Sequence, residues 1–314
     1  MDTQEFLRRY AAGERDFLAI DLSGAHLPEL DLSGVVLSKA TLVGADLSRT
    51  HLVGADLTGA HLNRAHLNQS YLSGAHLSRA NLVEADLTKA DLSGVFLSRA
   101  DLRKAVLAEA DLSRAHLGGA HLEQANLRRA NLSGADLNEA HLEYSALSEA
   151  NLHRVNLTQV NLSGADLSGT TLERAELAQA NLTEADLSWA NLEGANLSGA
   201  NLHRANLSGA NLTGANLHWA NLIETNLTLT SLRGATLERA ELTRANLTEA
   251  DLSWAHLGGA NLSGANLRRA VLIDVNLSSV ILRGVNLIEA KLAQVNLNDL
   301  DLHWAVMPDG TTHN

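Results

Sequence analysis

The sequence predicts an all-β solenoid, a four-sided coil of very short strands closed at its N-terminus by a short helix. Three observations carry this. Every fifth residue from Leu22 to Leu302 is leucine, with no slip of phase. Two residues before nearly every leucine stands a small residue, usually alanine (Ala25, Ala45, Ala55) and elsewhere Val, Thr or Ser, with the bulkier Ile20, Leu30 and Leu300 near the ends. The residues two places after leucine alternate in charge at intervals of twenty, as in Glu109, Arg129, Glu149 and in Arg64, Glu84, Lys104.

A period of five fits neither regular alternative. A helix needs apolar positions about every 3.6 residues and a long strand every two. Ala-x-Leu alternates for three residues only, and two polar residues follow. In Leu22-Ser23-Gly24-Ala25 those two are turn residues, since glycine accepts the positive φ at the third position of a type II turn. Each unit therefore reads as one short strand and one corner, and identical corners close into a polygonal coil with leucine and alanine inside. Stacked coils lie roughly 4.8 Å apart, where opposite charges attract and like charges repel. The alternation at twenty residues then sets four units per coil, about 14 coils and a rod about 68 Å long.

The unit A-(D/N)-L-x-x, from about Ile20 to Met307, resembles the pentapeptide-repeat family. The resemblance implies a right-handed quadrilateral β-helix with leucine and the small residue inward.

In chain order, residues 1–17 are expected to form a helical cap. Asp2 is its N-cap, Glu5 has capping-box spacing, Phe6, Leu7, Tyr10 and Ala11 form one apolar stripe, and Gly13 ends it. Such a lid covers the open first coil, and Phe17 fills the space between them. Residues 18–307 form the solenoid, with Pro28 at a corner and a column of Asn206, Asn226, Asn246, Asn266 and Asn286 whose amides can bond along the stack. Residues 308–314 are a tail that begins with the turn Pro308-Asp309-Gly310 and is too short for a covering helix.

The chain has no cysteine, and no apolar run approaches the length of a membrane span. Residues Met1–Glu5 are acidic and lack the apolar core of a secretory signal, so the expected location is cytoplasmic. A net charge of −12 disfavours nucleic acid and anionic membranes as partners. No nucleotide-binding, metalloprotease or nucleophile motif is present. No catalytic residue and no cofactor are expected. Asp101, His121 and His141 stack at twenty-residue spacing, with Glu123 and Glu143 on the same outward side. This constellation reads as a polar face rather than a weak metal site, so no metal is expected.

The expected role is a non-enzymatic structural or protein-interaction rod with an unknown protein partner. All four tryptophans lie at corners, and Trp304, Met307 and Leu300 are the candidate partner contacts, as the C-terminal end lacks a lid. A C-terminal head-to-head homodimer would cover that end. The family resemblance also implies an alternative, binding of bacterial DNA gyrase by mimicry of duplex DNA. Duplex DNA carries about one charge per 1.7 Å, or about 40 over such a rod. The chain's −12, interleaved with Arg and Lys, falls well short of that.

Overall fold

The computed structural model describes residues 2–298 and 300–313. The chain folds as two compact units, Met1–Asn156 and Leu157–Asn314. Both are built from the same coil, and its backbone bonding follows from the five-residue unit. In the unit Asp21-Leu22-Ser23-Gly24-Ala25, Leu22 N–H donates to Thr41 C=O at 2.7 Å and Gly24 N–H to Val43 C=O at 2.9 Å, both in the next coil. Ala25 N–H closes the turn on Leu22 C=O at 3.0 Å. At the corresponding position of the next unit on that face, Thr41 N–H donates back to Ile20 C=O at 2.8 Å. One N–H per unit remains, that of Ser23, and the side chain of Asp21 takes it at 3.0 Å.

This is why Asp or Asn precedes so many leucines. Its Oδ1 folds over the corner to accept an amide that no strand can reach, as an Asx turn does. Asp31, Asp91, Asn181 and Asn266 do the same for Ser33, Ser93, Thr183 and Arg268. Pairing between coils is parallel and joins n to n + 20, for example His26 with Asp46 and Asn206 with Asn226. The four-unit coil expected from the charge columns is therefore present. The strands are shorter than expected, however. Almost every pairing is a one-residue bridge, because the corner begins two residues after each bridge. Among the described residues only β1 (Val271–Ile273) and β2 (Lys291–Ala293) extend to three residues.

The corners hold a second departure from expectation. Glycine takes positive φ there, as at Gly24 (+64°), but so do residues with side chains, such as Arg49 (+56°), Glu149 (+60°) and Trp254 (+61°). The left-handed conformation costs an L-residue roughly 1–2 kcal/mol, and the four hydrogen bonds around each corner hold it. The charge columns pair as read. Arg129 meets Glu149 at 2.8 Å, Arg64 meets Glu84 at 2.8 Å, and Arg269 lies between Glu249 at 3.4 Å and Glu289 at 2.5 Å. Each is exposed and screened by solvent, so each contributes little to stability.

In the N-terminal unit, α1 (Thr3–Ala11) starts at Asp2, whose carboxylate accepts from Glu5 N–H at 2.8 Å. Glu5 does not complete the capping box, because its carboxylate is held by Arg8 at 2.8 and 2.9 Å. Gly13, at φ +96°, turns the chain out of the helix. Phe6 is fully buried and meets the Phe17 ring edge-on, 4.6 Å between centroids. The leucines and alanines behind it are buried in register, from Leu27 and Leu32 onward. Where Thr or Ser replaces alanine inside, its hydroxyl finds a carbonyl: Thr50 donates to Leu27 C=O at 2.8 Å and Ser70 to Leu67 C=O at 2.6 Å.

The Asx carboxylates make stability sensitive to acid. Asp21, Asp31 and Asp46 titrate below their ordinary 3.8, chiefly because Ser23, Ser33 and Ser48 hydrogen-bond the charged form. A lowered folded value means that the contribution is present above about pH 4 and is lost as pH falls through that value. The melting temperature should therefore drop below about pH 4. A triple Asp→Asn variant at these positions keeps the acceptor oxygens and should flatten the drop. An equally steep fall in that variant would rule the carboxylates out.

In the C-terminal unit the asparagine column forms the expected ladder for part of its length. Asn226 Nδ2 donates to Asn206 Oδ1 at 2.9 Å, and Asn206 Nδ2 donates to Asp186 Oδ1 at 3.0 Å. Asp186 has no donor to pass on, so an aspartate can only start such a chain. Asn246 instead donates to Thr228 Oγ1 at 2.9 Å.

The last residues fold back on the coil. Val306 bridges Asn286 on one side and, antiparallel, Thr312 on the other. Trp304 N–H donates to His313 C=O at 2.7 Å and His313 N–H to Ala305 C=O at 2.8 Å. The tail thus covers the backbone edge of one face. On another face the ladder is interrupted: His256 bridges Asn276, but among the described residues no bridge carries on from Asn276 to Asn296. No helix of the described residues is long and apolar enough to cross a membrane.

Candidate functional site

Leucine and alanine fill the interior, so side chains available to other molecules stand on flat faces and corners. The three predicted contact residues lie in the last turn of chain but differ in setting. Trp304 is on a corner, at φ +63° and 54% exposed. The Arg283 guanidinium lies 4.3 Å from its ring centroid and the His303 ring at 4.3 Å. Met307 and Leu300 are half-buried. Met307 donates its N–H to Thr311 C=O at 2.8 Å. Leu300 lines a cleft of about 370 Å³ with Val275–Ser279, Gln294, Asn296 and Asn298, where the ladder is interrupted.

The other tryptophans stand on three further corners, as read. Trp189 lies flat over Gly209, with ring carbons 2.6 Å from where a Cβ would sit there. Arg239 covers Trp219 at 5.0 Å and Arg233 covers Trp254 at 4.4 Å. Each tryptophan ring is thus packed on its own corner, and the four tryptophans form no row on which bases could stack.

The polar face of the N-terminal unit is stacked as the spacing predicts, with Asp101 bridging His121 and His121 bridging His141. The two imidazoles lie parallel, 4.9 Å apart. Asp101 does not join them. Arg103, two residues on, holds both its oxygens at 2.8 and 2.6 Å and keeps its carboxyl below the ordinary range. The residues brought together are Glu123, His141 and Glu143, one ligand atom from each lying within 4.8 Å of the others.

The family model for pentapeptide repeats matches overlapping segments that run from residue 16 to 248 and from 250 to 307. This chain belongs to the pentapeptide-repeat family. Among solved structures, the pentapeptide-repeat protein HetL, involved in heterocyst differentiation regulation in the cyanobacterium Nostoc sp. strain PCC 7120, is 34% identical, with 100% of each chain covered and a TM-score of 0.25. A pentapeptide-repeat protein from the Arabidopsis thaliana thylakoid lumen is 33% identical over 37% of this chain and 66% of its own, with a TM-score of 0.25. Trypsin-treated QnrB1, a plasmid-mediated fluoroquinolone resistance protein, is 18% identical over 57% of this chain and 90% of its own, with a TM-score of 0.39. No curated protein matches this pentapeptide-repeat chain.

Proposed function

We propose that this pentapeptide-repeat protein is a non-enzymatic, cytoplasmic protein-interaction scaffold that meets its partner through its C-terminal coils. We assign it a right-handed coil and about 14 coils in all, which follows from twenty residues per coil over the repeat. The observation that carries the interaction reading is Trp304, more than half exposed beside the half-buried Leu300 and Met307. An exposed tryptophan flanked by apolar groups is the commonest kind of interface anchor. The partner we favour is a second copy of the chain, since a self-complementary patch is the simplest cover for such a surface.

Light scattering of the intact protein should then give twice the chain mass, and Trp304→Asp should return it to one. A single-chain mass for the intact protein at high micromolar concentration would show that the folded-back tail covers this end by itself. Supercoiling assays with purified gyrase serve the alternative. Inhibition at stoichiometric protein would replace the present reading with DNA mimicry.

A further inference from the structure

We propose that Glu123, Glu143 and His141 bind one divalent transition-metal ion, Zn²⁺ by donor type, on the outer face of the N-terminal unit, with His121 positioning Glu123. The argument begins with charge. Glu123 and Glu143 are twenty residues apart and follow stacked leucines, so two carboxylates stand in one column at neighbouring coils. Elsewhere the corner columns place Arg or Lys against Glu. Here the cation preceding them in the column, Arg103, is turned to Asp101 and held there by two hydrogen bonds.

The imidazoles do not fill the gap. His121 Nδ1 lies 3.2 Å from Glu123 Oε1 and His141 Nδ1 lies 3.5 Å from Glu143 Oε1, so each takes one carboxylate oxygen of its own coil. Of the other oxygens, Glu123 Oε2 is shielded from solvent and accepts no hydrogen bond, and Glu143 Oε2 is shielded from solvent. A shielded carboxylate oxygen without a donor is costly. A cation between the two glutamates removes that cost and their mutual repulsion together.

The donors select the metal. Imidazole nitrogen with carboxylate oxygen suits Zn²⁺ and its neighbours, whereas Ca²⁺ and Mg²⁺ take oxygen almost alone. Ligand atoms bound tetrahedrally at about 2.1 Å lie about 3.4 Å apart. The three donor atoms are already within 4.8 Å, so closure needs at most about 1.4 Å of approach between side chains. Among the described residues this is the only group of three or more His, Cys, Asp or Glu placed so closely. His121 acts through its contact with Glu123 Oε1 and its stacking on His141, which together fix both ligands.

Titration of the full-length protein with ZnCl₂ in a calorimeter tests this, with CaCl₂ and MgCl₂ as comparisons. One Zn²⁺ per chain should bind saturably, and the alkaline-earth ions should not displace it. Glu123→Gln and His141→Ala should each weaken binding by about tenfold or more, and His121→Ala by about tenfold, the usual cost of losing an orienting partner. His26→Ala, which removes an exposed imidazole paired with Asp46 at 2.8 Å, should leave binding unchanged. Tetrahedral Co²⁺ would report the same site through its visible absorption, lost in Glu123→Gln even if His141→Ala folds poorly. No saturable Zn²⁺ binding, or binding that Glu123→Gln leaves intact, or binding weakened equally by His26→Ala, would each overturn the assignment.

Discussion

Replacing Leu162 by alanine should lower stability by roughly 2–5 kcal/mol, as for buried leucines generally. Leu162 is fully buried, and its N–H donates to Asn181 C=O at 2.8 Å. Its column continues through Leu182 and Leu202, both also buried, so the gap opens inside a stack that cannot collapse sideways. Leu162→Asp should cost more, since the carboxylate would face only leucine and alanine and have no donor within reach. Thermal melts monitored by circular dichroism read both variants. An aspartate variant that melts like wild type would mean that position 162 is not inward, and the twenty-residue register would then be wrong.

The second large effect is expected at the N-terminal lid. Phe6 is fully buried, packs on Phe17 and lies 6.2 Å from the Tyr10 ring. Truncating such an aromatic costs about 3–5 kcal/mol, and a buried charge adds to that. Phe6→Asp should release α1 and expose Ile20 and Leu22, both buried in the first coil. The readout is limited proteolysis: trypsin should cut rapidly after Arg8, Arg9 and Arg15 in the variant and slowly in wild type. Equal cutting rates would show that the helix does not depend on this contact. The mass of the assembly should not change, because the C-terminal coils are untouched.

The sequence made the architecture legible because one physical requirement repeats without interruption. A leucine every five residues can share an interior only if the chain turns a corner in every unit, and the Glu and Arg columns at intervals of twenty show that four corners close one coil. What stayed hidden has a local cause in each case. The aspartates and asparagines before leucine read as a polar face and a ladder, but their main work is to accept the amide two residues on, as Asp21 does from Ser23. That bond depends on backbone geometry at the corner, which spacing does not disclose. Positive φ at Arg49 or Trp254 was likewise hidden, since glycine marks such a site in a sequence and arginine does not. On the histidine face the column was readable but the partner choice was not. Arg103 lies two residues from Asp101 and reaches it across the strand, leaving Glu123 and Glu143 to His141. The interrupted ladder beside Leu300 had no signal at all, because Leu297 and Leu302 keep the period.

The corner columns also determine how such a gene can change length. Removing five residues leaves every leucine inward, so the core is preserved. Yet each residue in the coil just before the deletion then meets a neighbour five positions further along the chain. If five residues between Arg129 and Glu149 were lost, Arg129 would stand against Arg154 instead of its present partner at 2.8 Å. The amide ladder would be re-paired in the same way, with Asn151 no longer donating to Asn131, whereas the Asx turns, each within one unit, would be kept. Insertions and deletions of twenty residues keep every residue in its own column, whereas those of five, ten or fifteen keep the core and shuffle the surface. A single duplicated coil would still set Arg129 against its own copy, so duplication of two coils, forty residues, is the route by which this chain can grow without losing the alternation of charge along its columns.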